Sequence, residues 1–387
     1  MKIAFEAVNA NKPSEHGSET YLSNLLGSIL QLNREDFFYL YIDRPVDERS
    51  RFQKDNVIYR HIREVKYLYG ACKRTFFNDP WAEFFIAWDL LVKTRPDIYI
   101  FNAGSLPPVI RFCKTICMVH DLSVFCIPDC YSDEAGEIFL RNETRSLCAA
   151  TRVVALSLLT KKDAIRFAGI SEEKITVIYP GYNKNIFNTE KNDNRLLRLK
   201  SKLKLSEQYV ITTGMLHPKK NLVRLAQAFQ KVKASEKFGG QLLIVGPDKY
   251  RGEEIRRQIK EIDGQCDIIF AGCLPLMDMA ELLKGSALFV FPALYEGFGL
   301  SMLEAMACGV PVVAANAGAL PEVGDDNVLL VDPYNVQEMA QAMAEALNNS
   351  GLRNQLRQGA LQRAAEFSWD KAARQYLDLF EELRSKK

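Results

Sequence analysis

Residues Phe291–Val313 read FPALYEGFGLSMLEAMACGVPVV, and the succession of residue types in this stretch decides the fold. An apolar run ending at Pro292 reads as a buried strand, and Glu296-Gly297-Phe298-Gly299 reads as a tight loop. Ser301 then opens a helix, and after Cys308-Gly309 a second β-branched run, Pro311–Ala317, reads as the next strand. Strand, glycine loop, helix and strand make a βαβ unit. Such units assemble parallel sheets that bind ligands at the carboxyl ends of their strands.

The same alternation extends in both directions. Upstream, strands are expected at Lys2–Val8, Phe37–Ile42, Val57–Ile62, Asp97–Asn102, Thr115–Asp121, Arg152–Ser157 and Lys174–Tyr179. Ser18–Leu32 carries Tyr21, Leu22, Leu25, Leu26, Ile29 and Leu30 on one helical face. The pattern breaks after Pro180-Gly181, where residues 183–207 are polar and charged, as expected of a linker leading into a helix. It then restarts with strands at Tyr209–Gly214, Gln241–Gly246, Asp267–Gly272, Ala287–Ala293, Pro311–Ala317 and Asn327–Asp332. Three helical segments follow, the last at Trp369–Arg384. The chain therefore reads as two α/β domains.

Composition narrows the function classes. The 387 residues carry 50 Lys+Arg against 48 Asp+Glu, a formal charge of +2, which disfavours a bulk nucleic-acid binder. No apolar run approaches the roughly 18 residues of a membrane span. The opening MKIAFEAVNANKP has too short an apolar stretch for a secretory signal, so a cytosolic chain is expected. Nine cysteines, an odd number, are spread along the chain and read as small buried thiols. The spacings of Cys113/Cys117 and Cys126/Cys130 lack the zinc-knuckle form. Residues 51–77 mix seven Lys/Arg with several aromatics. They read as a solvated face or, alternatively, as a surface that docks on anionic lipid.

Neither G-x-G-x-x-G after the first strand, nor a P-loop, nor G-x-S-x-G, nor H-E-x-x-H occurs, and the four histidines are far apart in sequence. What remains lies just after strands. Ser301-x-x-Glu304 reads in the plainer way as a capping box. The same geometry leaves amides at Gly297–Met302 on a helix start, a ready anion site. Glu296 and Glu304 would face one pocket, where carboxylates accept from sugar hydroxyls. Lys219, Lys220 and Asn221 stand at another helix start, where cations are unfavourable unless an anion sits between them. His120-Asp121 falls at a strand end, and His16-Gly17-Ser18-Glu19 feeds a helix after the first strand.

Taken together, Glu296-GFGLSML-Glu304 with the following EAMACGVPVVAANAGALPEV, His217-Pro-Lys-Lys-Asn221, His120-Asp121-Leu122 and VIYPGYN at 177–183 resemble the retaining glycosyltransferases of family 4 (glycosyl transferases group 1). The resemblance spans nearly the whole chain. It implies the GT-B fold: two Rossmann-like parallel-sheet domains facing across a cleft, 1–183 on the acceptor side and 184–367 binding the nucleotide sugar, with helix 368–387 crossing back to the first. It implies metal-independent transfer of a hexose, without a cofactor, from a nucleotide-diphosphate sugar to a glycan or lipid-linked acceptor in surface polysaccharide assembly. The compartment implied is the cytoplasm, at the inner face of the cell membrane if the protein is membrane-associated.

Carried over by position, Lys220 would contact the donor diphosphate, with Lys219 in the slot usually held by arginine. Glu304 would bond the ribose, Glu296 would face the sugar, and Gly297, Phe298, Gly299 and Leu300 would line the sugar and phosphate side. His120 would lie near the reaction centre and Gly17 in the loop close to the diphosphate. FNAGSLPP and HDLSVFCIPD look like the mannosyltransferase branch, which suggests GDP-mannose as donor and leaves UDP-sugars open. Met215 stands where many relatives place an arginine. The competing readings are a nucleotide-sugar epimerase on the same fold and a non-catalytic nucleotide-sugar-binding protein.

Overall fold

The computed structural model describes residues 1–7, 17–42, 52, 54–61, 86–104, 112–236, 238–264 and 267–385. His16, Cys72, Cys266 and most of the basic aromatic stretch 51–77 lie outside the described residues. The chain divides into two compact units. One comprises Met1–Phe125, Asp133–Gly181 and Ser368–Lys387; the other comprises Cys126–Ser132 and Tyr182–Phe367.

The first unit holds a parallel sheet of β1 (Lys2–Glu6), β2 (Phe37–Ile42), β3 (Val57–His61), β4 (Ile98–Asn102), β5 (Lys114–Val119), β6 (Arg152–Ala155) and β7 (Ile175–Val177), in the order β3-β2-β1-β4-β5-β6-β7. The second holds β8 (Tyr209–Thr213), β9 (Gln241–Val245), β10 (Ile268–Gly272), β11 (Leu288–Phe291), β12 (Val312–Ala315) and β13 (Leu329–Val331), in the order β10-β9-β8-β11-β12-β13. Each sheet runs outward from its first strand one way and then reverses. The reversal between β1 and β4, and between β8 and β11, opens a crevice at the strand ends where doubly wound sheets bind ligands.

The inner strands form where β-branched and aromatic residues are buried on both faces, as in parallel sheets covered by helices, while the edge strands β3, β7, β10 and β13 are half-buried. Val210, Leu242, Val290 and Val313 pack from the second sheet against Leu225 and Phe229 of helix 222–236 and Met339 and Met343 of helix 336–348. Each such side chain contributes about 1.5–3 kcal/mol on burial. Most expected strands end one or two residues early, because the residues just past the last ladder bond belong to the loops that follow. Arg152–Ser157, for example, ends at Ala155, and Ser157 instead caps the next helix by accepting from Thr160 N–H. Within the 183–207 stretch, Asn192 caps a helix over Asp193–Leu203 whose buried residues are Leu196 and Leu199.

Helix α1 (Gly17–Leu32) lies against the helix that ends the described chain, Trp369–Ser385. Tyr21 and Tyr376 share a hydroxyl–hydroxyl hydrogen bond of 3.0 Å, Phe5 and Phe380 meet edge-on at 6.5 Å, and Arg152 pairs with Glu382 at 2.5 Å. The final helix thus completes the first unit's core.

Among the described cysteines, Cys117, Cys130 and Cys308 are buried and Cys113 and Cys126 partly so, whereas Cys148 and Cys273 are exposed. The expectation of buried thiols fails at those last two. Both lie outside strands, Cys148 near the end of helix 133–149 and Cys273 just past β10. Among the described residues no group of three or more His, Cys, Asp or Glu side chains is arranged to hold an ion, and no helix is long and apolar enough to cross a membrane.

Candidate functional site

In the second unit the reversal point brings together the loops that follow β8 and β11. Gly214 follows β8 with φ of 136°, and a Cβ there would stand 3.2 Å from Lys220 Cε. The missing side chain is the space through which the lysine runs. His217 precedes a short 3₁₀ turn, Pro218–Lys220, and its Nδ1 accepts from Lys219 N–H at 3.2 Å. Asn221 follows in the left-handed region, at φ of 57°, a conformation Asn tolerates better than most residues. Its Nδ2 donates to the carbonyls of Pro292 (3.1 Å) and Pro333 (2.7 Å), while its Oδ1 accepts from Arg224 (2.9 Å). One buried carboxamide therefore ties the ends of β8, β11 and β13. Leu294 N–H adds a bond to Lys219 O at 2.8 Å.

This knot delivers Lys220 Nζ to Glu296 Oε1 at 2.6 Å, with both side chains mostly buried, at 11% and 13% exposed. The ammonium also lies 4.8 Å from the centre of the Phe291 ring. Glu296 is held from behind, because its carbonyl accepts from Ala319 N–H at 2.8 Å. Gly318 allows that approach: at φ of 60°, a Cβ would fall 2.5 Å from Glu296 N.

The helix after Glu296, Leu300–Ala307, has Gly299 as its N-cap at φ of 96° and no side-chain cap. This corrects the capping-box reading. Left-handed Gly299 starts the helix one residue early, so Ser301 is its second residue and Glu304 its fifth, out of box register. The run of free amides is also shorter than expected. Met302 N–H bonds Gly299 O at 3.0 Å, and the amides of Gly299, Leu300 and Ser301 donate to no described residue. Three adjacent unpaired N–H groups at a helix start, with Lys220 on the next loop, form an electropositive cradle.

Glu304, one turn into that helix, is 6% exposed, and its carboxyl bonds no described residue. Burial pushes its carboxyl up from 4.5 to about 8. The folded protein then holds a proton that the unfolded chain releases between those values, so stability falls as pH rises through about 4.5 to 8. Glu304→Gln, neutral throughout, should melt a few degrees above the ligand-free parent at pH 8 and level with it at pH 4.5. Parallel melting curves across that range would show that Glu304 is solvated.

Two residues named from the sequence belong to the first unit. Gly17 is the first residue of α1 and so stands in the helix, not in the loop before it. His120 follows β5, and its Nε2 meets Asn102 Oδ1 at 2.9 Å. The Tyr21 ring stands edge-on to it, with centroids 5.0 Å apart. Burial lowers the imidazole from 6.5 to about 4, with neighbouring Asp121 opposing, so the ring is neutral near pH 7. Asp121 Oδ1 accepts from Ser123 N–H and Oγ–H, at 3.1 and 2.6 Å.

Lys220 and Glu296 are thus in direct contact, with the Gly299–Leu300 amides and Glu304 on the adjoining helix. Asn221, Gly318 and Asn102 were not singled out for these positioning roles. The signal for Asn221 was available: an Asn directly after a Pro-Lys-Lys turn is a left-handed residue by preference.

Two family models match the chain: "Glycosyl transferases group 1" over residues 193–363 and "Glycosyltransferase Family 4" over residues 17–185. O-antigen chain mannosyltransferase B of Escherichia coli is 26% identical over 283 residues, 73% of this chain and 74% of its own length. Serotype-specific mannosyltransferase WbdA of Escherichia coli is 27% identical over 275 residues, 70% of this chain and 34% of its own. The chain spans about a third of the length of the first curated relatives it matches. Among solved structures, a sucrose-phosphate synthase from Thermosynechococcus elongatus superposes with a TM-score of 0.79 at 21% identity over the whole of both chains. WaaG, a glycosyltransferase involved in lipopolysaccharide biosynthesis, does so at 0.75 and 15% identity over 97% of this chain and 99% of its own. These likenesses establish the fold.

Proposed function

The chain belongs to the glycosyltransferases of family 4, glycosyl transferases group 1, and from that premise we propose that it transfers a hexose from a nucleotide-diphosphate sugar to a glycan hydroxyl with retention of anomeric configuration and without a metal ion. The observation that carries this reading is the cradle at the second sheet's reversal point: Lys220, the amides of Gly299–Ser301, which donate to no described residue, and Glu296 at 2.6 Å from Lys220. The donor is read as a mannosyl nucleotide because the curated relatives above are named mannosyltransferases. Solved structures of the same fold contain UDP and UDP-glucose, so UDP-sugars are the second donor class to test. The acceptor is read as a surface-polysaccharide glycan, free or lipid-linked, met on the cytoplasmic side of the membrane.

In this reaction the bond between the anomeric carbon and the diphosphate oxygen breaks, and the acceptor oxygen bonds that carbon from the same face. The acceptor's proton passes to the departing diphosphate. Negative charge grows on the leaving group, where Lys220, Lys219 and the helix-start amides stabilise it. Glu296 would orient the sugar, Glu304 the ribose, and His120 would accept from a sugar hydroxyl.

The test is a donor panel, GDP-mannose beside UDP-glucose, with product NMR. The product should carry the donor's anomeric configuration, and EDTA should leave the rate within about twofold, since protein cations supply the charge a metal would otherwise bring. An inverted product would remove the retaining assignment. A rate abolished by EDTA and restored by magnesium or manganese would remove the metal-free one.

A further inference from the structure

We infer that Asn102 is a positioning residue that fixes the tautomer of His120, leaving His120 Nδ1 as a hydrogen-bond acceptor for a hydroxyl of the sugar; the ligand class rests on the glycosyl-transfer reading above.

The placement follows from topology. The first sheet reverses between β1 and β4, and the last residues of these strands are Glu6 and Asn102. Glu6 is 4% exposed, and its Oε2 accepts the Asn102 N–H at 3.2 Å, anchoring the backbone beneath the side chain. From there Asn102 Oδ1 reaches Nε2 of His120, one strand over, at 2.9 Å. A carboxamide oxygen only accepts, so Nε2 carries the proton. In a neutral ring Nδ1 is then bare, and it meets no described residue.

Burial keeps the imidazole neutral, and the charged groups around it do not reverse that. Asp121, on the same loop, is engaged by Ser123. Glu6 faces the Asn102 backbone, and the Tyr21 ring of α1 stands perpendicular to the imidazole, its hydroxyl bonded to Tyr376 of the final helix. None of these places a carboxylate on the ring nitrogens. A neutral acceptor nitrogen suits a hydroxyl donor. It does not suit an anion, which needs N–H groups, or a proton relay near neutrality, which needs a group that titrates there.

The experiment uses ¹⁵N-histidine labelling of the ligand-free protein. With four histidines in the chain, a His120→Gln variant identifies its two ring signals. The expected spectrum of the parent has the proton on Nε2 throughout pH 6–8. Asn102→Ala should show a mixture of tautomers and a kcat lower by about tenfold with KM little changed, the scale of one lost hydrogen bond. Asn102→Asp places a carboxylate on Nε2, which raises the imidazole's pKa. His120 should then be protonated at pH 6, and activity relative to the parent should fall about tenfold between pH 8 and pH 6. A proton on Nδ1 in the parent, or an unchanged tautomer in Asn102→Ala, would overturn the inference. Because the spectra need no donor, a chain that transfers no sugar would count against the proposed activity while the tautomer result stands on its own.

Discussion

Lys220→Ala should lower the affinity for a nucleoside diphosphate by about 10- to 100-fold and leave the bare nucleoside almost unaffected. The lysine is 11% exposed and runs through the space left by Gly214, so water cannot readily replace it. A hydrogen bond to a charged group in such a place is worth about 1.5–3 kcal/mol, or one to two decades in Kd. Isothermal calorimetry with a nucleoside and its diphosphate separates the two arms. An equal loss for both would mean that the variant has disturbed the fold around the knot at Asn221, and Lys220 would lose its assignment to the phosphates.

Glu296→Gln should act in two opposite directions. Turnover should fall by about two orders of magnitude, the scale of one hydrogen bond that strengthens in a preorganised transition state. Binding of the nucleoside diphosphate alone should become several-fold tighter. In the ligand-free protein the carboxylate already neutralises Lys220 at 2.6 Å, so an incoming phosphate has to displace it, and the amide exerts no such hold. The two charges are close enough to couple strongly at an intermediate effective dielectric. The double variant Lys220→Ala with Glu296→Gln should therefore bind the diphosphate like Lys220→Ala alone, a non-additivity characteristic of residues in contact. A weaker diphosphate in Glu296→Gln would show that the carboxylate holds the lysine in place for the phosphate and does not compete with it.

The sheets were legible because parallel strands leave short apolar runs between helical stretches, and thirteen such runs lie where the thirteen strands among the described residues form. Their ends were less legible, since the last ladder bond depends on the neighbouring strand and not on the residue type that follows it. The final helix was legible from its period, and its partner was a matter of family resemblance: Tyr21 and Tyr376 are 355 positions apart.

At the site, residue types and loops could be read while contacts could not. Lys220 and Glu296, 76 positions apart, meet where Asn221 bonds two distant proline carbonyls and Leu294 N–H bonds Lys219 O. The capping-box expectation failed for a local reason. Ser-x-x-Glu fits the box only when the serine is the N-cap, and the left-handed glycine before it took that place.

The final helix also bears on how the protein is made. The first unit's core includes Phe380 beside Phe5 and Tyr376 beside Tyr21, yet residues 368–385 leave the ribosome only after the whole of 182–367. The second unit can fold as it emerges, whereas the first must wait, at about 5–20 residues per second, with the α1 face that receives the helix uncovered. That interval is the window in which a chaperone has something apolar to hold. A chain ending before Trp369 would never close it.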